Sequence, residues 1–312
     1  MTKHPAENSE LSGGSGASGD RRAGVAAWCL YDWANSAFPT VITTFIFAAY
    51  FTQFVAATPV EGTVLWSRLL MFTGLVVAVI SPLLGAIADN TGSRKPWILV
   101  FSAFCCFVTL LLWFVEPSSD HVIAAIILYA TAAVAYQFAI VFYDSMLPHI
   151  APADRIGRIS GWGWALGYLG GIACLLGCLW ILRGGAAEFL GLDEDRAEPV
   201  RATSIFVALW FAVFSVPLFL MTQDRAPTGL SLRAATRAGI RQLWGTLRLL
   251  DRKAPITRFL IAHMFYNDGL VTLFAFGGIY AAAEFAMEPA DILIFGITLN
   301  IAAGAGAAGF AW

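Results

Sequence analysis

The chain has 312 residues, 58% of them hydrophobic and 13% charged, with a mean hydropathy of +0.71. A soluble domain carries about 25% charged residues, so this composition excludes an ordinary soluble enzyme and points to a helical protein solvated by lipid. The net charge of −2 says nothing about partners, because the 19 Lys and Arg and 21 Asp and Glu bunch into short loops between long uncharged runs.

Residues 1–23 are polar and rich in Gly and Ser, and are expected to be a disordered tail. The apolar run after Arg21 and Arg22 continues to about Phe54, too long for the h-region of a cleaved leader. A bilayer core of roughly 30 Å needs about 20 apolar residues in a helix. That ruler predicts eight spans, near 25–54, 65–88, 96–115, 121–143, 159–182, 202–222, 259–283 and 291–312. Turn chemistry separates them, as in Asp89-Asn90-Thr91-Gly92 and Glu116-Pro117-Ser118-Ser119. The domains expected are the tail, a six-helix bundle over 24–222, a basic linker over 223–258 and the start of a second bundle over 259–312.

Of the 19 basic residues, all but Arg68, Arg183, Arg196 and Arg201 fall in the tail or in alternate loops on the same side as the tail. The positive-inside rule therefore puts the N-terminus in the cytoplasm. Within the linker, Arg233, Arg237, Arg241 and Arg248 share one helical face, and Ile240, Leu243, Trp244, Leu247 and Leu250 another. This predicts an amphipathic helix lying along the membrane surface, either in contact with lipid or as a plain tether. Cys29, Cys105, Cys106, Cys174 and Cys178 fall in apolar runs and read as packing residues.

Only Asp32 and Asp268 are expected well inside a span. A carboxylate there costs roughly 2.5–3.5 kcal/mol on the insertion scale, so each should face a polar cavity or a partner. Each follows an arginine, Arg22 or Arg258, by ten residues, about 15 Å of helix rise, which predicts a common depth. Tyr31 and Asn35 flank the first, Tyr266 and Asn267 the second, as in a worn repeat of first span onto seventh. The competing reading makes both carboxylates structural, bonded to Asn35 or to backbone freed at a break such as Pro39. In the fourth span Tyr136, Gln137, Tyr143 and Asp144 offer hydrogen-bonding groups, and Gln137 is the one taken forward. His263, Trp162 and Trp164 are expected to anchor or pack. Gly163, Gly167 and Gly171, four apart, form a stripe for tight helix packing.

Leu30-Tyr31-Asp32-Trp33-Ala34-Asn35-Ser36-Ala37-Phe38, Gly161-Trp162-Gly163-Trp164-Ala165-Leu166-Gly167-Tyr168-Leu169-Gly170-Gly171 and Phe265-Tyr266-Asn267-Asp268-Gly269 resemble the vacuole effluxer-like branch of the major facilitator superfamily. The resemblance implies an all-α integral membrane fold of twelve spans in two six-helix bundles. This chain would then hold the complete first bundle plus the first two helices of the second, as a fragment of a longer protein. It further implies secondary transport of a small solute by alternating access, with amino acids as one candidate cargo and a proton as candidate coupling ion. Asp32, Asn35, Tyr31, Gln137, Tyr266, Asn267 and Asp268 are the expected binding residues.

The loop carrying Gly85, Asp89, Gly92, Arg94 and Lys95 resembles the gating signature of that superfamily, with Asn90 and Ser93 where basic residues are usual. Its chemistry predicts a close helix approach at Gly85, a helix-capping role for Asp89, and Arg94 and Lys95 at the cytoplasmic surface. Tyr168 stands where the antiporter motif of the fifth span has proline, so no antiporter reading follows. No catalytic residue, cofactor, metal site or nucleic-acid partner is expected. The expected partners are the solute and membrane lipid. The expected setting is the plasma (inner) membrane, as a monomer if the chain is full length. The runner-up is an integral-membrane lipid- or prenyl-modifying enzyme, which would need clustered acidic motifs at one membrane surface.

Overall fold

The computed structural model describes residues 13–183, 189–249, 255–285 and 289–310, and among them every regular element is helical, with no strand. Helix α1 runs Gly13–Asn35, followed by a π-helical segment Phe38–Phe45, the short α2 at Phe47–Tyr50 and a second π-helical turn Phe51–Val55. Then come α3 (Pro59–Thr91), α4 (Lys95–Leu111), α5 (Val122–Asp144), the short α6 (Leu147–Ile150), α7 (Ile156–Leu182) and α8 (Glu198–Met221). The linker helix α9 spans Leu232–Leu249, and α10 (Pro255–Phe285) and α11 (Pro289–Phe310) complete the chain.

Six helical stretches among the described residues are long and apolar enough to cross a membrane, from Arg21–Val55 to Glu198–Met221. They coincide with the first six predicted spans, and the chain is a multi-pass membrane protein. The predicted seventh and eighth spans correspond to α10 and α11, of 31 and 22 residues. Helix α1 begins at Gly13, inside the stretch expected to be disordered. Once a span is helical, each added residue gains a hydrogen bond without a new nucleation cost, so helix propagates into polar sequence. Residues 1–12 and 250–254, with the linker positions Leu250, Asp251, Arg252 and Lys253, lie outside the described residues.

The first span is not a continuous α-helix. Pro39 has no N–H to donate and its ring crowds the carbonyl four residues back, so the backbone widens into π turns, with Ile46 N–H donating to Val41 O at 2.9 Å. At the start of α3, Thr58 accepts from Glu61 N–H at 3.2 Å with Pro59 in the first helical position. The helix stops at Gly92, whose φ of +83° costs a glycine little.

Helix α1 packs between α7 and α8, α4 lies against α5 and α8, and α3 against α5. Aromatic rings fill the centre. Trp28 stacks on Tyr143 at 4.4 Å, and Tyr129 meets Trp66 at 4.4 Å and Phe38 at 6.4 Å. All five cysteines are buried and unpaired. Two later elements dock on this bundle: α9 against α3, and α11 against α7.

Candidate functional site

Every fourth residue of the first span, Trp28, Asp32, Ser36 and Thr40, faces the glycine stripe of α7. A Cβ placed on Gly163 would lie 2.5 Å from Asp32 Oδ2, one on Gly167 2.7 Å from Ser36 Oγ, and one on Gly171 2.8 Å from Thr40 Oγ1. The stripe thus admits a polar ridge of α1 that any side chain would displace. Gly170 is tighter still, since its Cβ would meet the backbone of Trp33. The small residues predicted for packing leave room specifically for Asp32 and the hydroxyls above it.

Asn35, 3% exposed, connects this ridge to α5. Its Nδ2 donates to Asp32 Oδ1 at 3.3 Å, and its Oδ1 accepts from the Tyr136 hydroxyl at 3.1 Å. Beside this chain, Trp28 and Tyr143 bond reciprocally. Trp28 Nε1 donates to Tyr143 O at 3.2 Å, and the Tyr143 hydroxyl donates to Trp28 O at 3.0 Å. The Tyr129 hydroxyl donates to Thr43 Oγ1 at 3.2 Å, tying α5 to the π-helical segment as well. The carboxylate therefore sits at a helix junction held by side-chain bonds, next to a stretch where the regular helical ladder is interrupted.

The other expected site residues are placed differently. Tyr31 is fully buried and turns away, its hydroxyl 2.6 Å from Ser102 Oγ on α4. Gln137 is exposed, because the adjacent Tyr136 occupies the helical face toward Asn35. Tyr266, Asn267 and Asp268 are all exposed on α10, where the Asp268 carbonyl accepts from Thr272 Oγ1 at 2.8 Å. Helix α10 packs against the first span at the π-helical segment Phe38–Phe45. His263 stacks on Phe259 at 5.9 Å, and Trp162 and Trp164 are partly exposed.

The loop between α3 and α4 departs most from expectation. Arg94 was expected at the surface and is 1% exposed. Its Nε donates to Ser145 Oγ at 2.8 Å, Nη1 to Gly92 O at 3.1 Å and Nη2 to Asp89 Oδ1 at 3.4 Å. Burial lowers its pKa, and the carboxylate of Asp89 works in the opposite direction. The Lys95 ammonium donates to Phe219 O at 3.0 Å, near the end of α8. A Cβ on Gly85 would meet nothing within 4 Å, so the close approach expected there lies one residue on, where Gly239 of α9 abuts Ala86.

The capping role expected of Asp89 belongs to Asp224, a residue the sequence does not single out. Its carboxylate accepts from Ser93 Oγ at 2.6 Å, from Arg94 N–H at 3.0 Å, from Lys95 N–H at 3.0 Å and from Arg225 N–H at 2.8 Å. Burial pushes this carboxyl upward, and the four donors outweigh it, holding the group below the usual carboxylate range. Asp89 remains half-exposed. Asn90, one departure from the signature, donates to Gln242 Oε1 of α9 at 3.1 Å, and its carbonyl accepts from Thr228 Oγ1 at 2.6 Å. The linker thus returns to the loop it follows by well over a hundred residues.

At the opposite end of the bundle, Arg201 is 5% exposed. Its Nε donates to Trp113 O at 2.7 Å, and the guanidinium lies 4.8 Å from the centre of the Trp113 ring. Arg196 and Glu116 form an ion pair beside it, and the Arg196 guanidinium holds the Glu116 carboxyl below its ordinary value. Among the described residues no three His, Cys, Asp or Glu side chains converge as metal ligands would.

Comparison with known proteins agrees with this architecture. Over 281 residues the chain is 26% identical to the uncharacterized MFS-type transporter YxiO of Bacillus subtilis (strain 168), covering 89% of this chain and 64% of that protein. It is 24% identical over 176 residues to Autophagy-related protein 22 of Yarrowia lipolytica, covering 50% of this chain and 28% of that protein. It is also 23% identical over 305 residues to the lactose permease of Lactobacillus helveticus, of which it covers 46%. The chain therefore spans less than two thirds of the length of each of these relatives. Residues 69–312 match the family described as Vacuole effluxer Atg22 like. With most of its length inside that match and an all-helical fold of apolar spans, the chain belongs to the vacuole effluxer Atg22-like family of the major facilitator superfamily.

Proposed function

We propose that this chain forms the first bundle, and the beginning of the second, of a secondary transporter that moves a small solute by alternating access. The observation that carries the reading is Asp32, a carboxylate within the first span, bonded to Asn35 and through it to Tyr136. An acidic side chain at such depth is costly and is kept where it binds an ion, a proton or a solute. Asp32 stands beside π-helical backbone, whose weakened ladder is a common companion of functional sites. The glycine stripe of α7 gives α1 a smooth surface, which suits helices that shift during a rocking motion.

In this account Asp32 takes up and releases a proton as water access alternates, Asn35 and Tyr136 hold it in place, and Asp268 with Tyr266 and Asn267 completes the cavity when the bundles close. Amino acids are the first cargo to test, as the candidate that the resemblance to the vacuole effluxers implies. The basic end bearing Arg94 and Lys95 faces the cytoplasm, the protein resides in the plasma (inner) membrane, and the full-length protein works as a monomer. Flux of amino acids into proteoliposomes under an imposed pH gradient tests the reading. Gradient-dependent uptake that disappears in Asp32→Asn supports it, and an unchanged response removes it.

A further inference from the structure

A cavity of about 600 Å³ lies where three spans end on the Arg94 side of the bundle. Arg21, at the start of the first span, lines one wall, His149 and Ile150, at the end of the fourth, a second, and Thr222 to Arg225, just past the sixth, a third. Lining groups that close three membrane-spanning helices stand at the depth of lipid headgroups.

The charge of this cavity is unbalanced. Arg21 commits its Nε to Ile150 O at 3.4 Å, and Arg225 Nη1 meets His149 Nε2 at 3.3 Å. Arg94, whose guanidinium is paired with Asp89, lines a smaller adjoining void with His149 and Arg225. The one carboxylate in the wall, Asp224, already accepts from the Ser93 hydroxyl and from the N–H groups of Arg94 and Lys95 at the start of α4, and from the N–H of Arg225 beside it. Arg21 and Arg225, from distant parts of the chain, thus converge on a space whose one lining carboxylate is bonded to other groups. Guanidinium groups pair with phosphate through parallel N–H donors, and each basic side chain near an anionic surface adds about 1 kcal/mol of attraction.

We propose that this cavity binds a phosphate group, supplied by the headgroup of an anionic phospholipid, with Arg21 and Arg225 as its ligands. The site lies apart from the Asp32 junction and does not depend on the transport reading.

Native mass spectrometry of the full natural chain in detergent tests it, with phosphatidylglycerol, phosphatidylcholine and inorganic phosphate as probes. Phosphatidylglycerol should bind in preference to phosphatidylcholine. The double variant Arg21→Gln and Arg225→Gln should lose affinity for it by on the order of tenfold. Arg248→Gln, on the exposed face of α9, should leave it unchanged, and the double lysine variant should recover part of the loss. If inorganic phosphate displaces the lipid and its own binding falls in the same variants, the phosphate site stands and its source is soluble. Should the glutamine variants fail to fold, photo-crosslinking of the unmodified protein with a diazirine-bearing phosphatidylglycerol provides the same decision. Crosslinks at Gly24 or at Thr222 to Arg225 support the site, and crosslinks confined to other segments overturn it. Equal binding of both lipids, or full affinity in the glutamine variant, also overturns it.

Discussion

Asp32 Oδ2 occupies the space that a side chain at Gly163 would need, 2.5 Å from where its Cβ would stand. Gly163→Ala must therefore displace the carboxylate, whereas Gly170→Ala must move the backbone of Trp33, which has no rotamer to escape into. Overpacking of this kind costs about 1–3 kcal/mol, so Gly170→Ala should lower the unfolding midpoint the most. At Gly157 and Gly85 a Cβ would meet nothing within 4 Å, and alanine there should be neutral or stabilising by up to about 1 kcal/mol. Thermal unfolding of the four variants in one detergent checks the order. Equal midpoints for Gly170→Ala and Gly157→Ala would show that the α1 and α7 interface is looser than described.

Asp224 caps α4 from outside it, and removing a cap costs about 0.5–2 kcal/mol, so Asp224→Ala should be destabilising by at least that much. The pH dependence follows from its lowered pKa. The unfolded carboxyl titrates near pH 3.9, roughly, and the folded one below that. The stabilisation is therefore complete above about pH 4 and is lost as pH falls through the folded value. Chemical unfolding measured at stepped pH should show the wild type losing stability in that acid window and Asp224→Asn losing less. Parallel pH profiles for the two proteins would contradict the assignment.

The bond between Asn90 and Gln242 fastens the linker helix to α3. Cutting it with Asn90→Ala removes an interaction worth about 1 kcal/mol, too little to unfold the bundle but enough to loosen α9. Hydrogen exchange over residues 232–249 should become faster while that of α5 stays the same. An unaltered rate in α9 would mean that Gly239 against Ala86 holds the helix without help from Asn90.

Arg201 makes two kinds of contact at once, a hydrogen bond to Trp113 O and a face-on approach to the Trp113 ring. Lysine has a single compact ammonium and cannot reproduce the fork, so Arg201→Lys should still cost about 1–3 kcal/mol. The unfolding midpoint reads this out, and a midpoint equal to that of the wild type would show that the paired contacts to Trp113 add no stability.

The six-span bundle was legible in the sequence because lipid makes every span declare itself as a long uncharged run. Asp32 and the glycine stripe were legible for the same reason, one as a rare charge and the other as a spacing of four. What the sequence concealed were partners far along the chain. Asp224 lies about 130 residues from the N–H groups it caps, and nothing local marks it. Arg94 was assigned to the surface by the average behaviour of loop arginines, which cannot anticipate acceptors as well placed as Ser145 Oγ and Gly92 O. Tyr136 and Gln137 were separated only by helical phase, 100° per residue, and the packing of α5 chose the tyrosine. The interruption of the first span follows from Pro39, but its length as π-helix does not.

The central claim is that Asp32 couples proton movement to solute movement. Its most direct test is the pH inside proteoliposomes, followed with an enclosed pyranine dye, as single amino acids are added outside to the full natural chain and to Asp32→Asn. The account predicts that at least one amino acid drives a pH change in the wild type that the variant lacks, while the variant still folds and reconstitutes. An equal pH change in both proteins would contradict it.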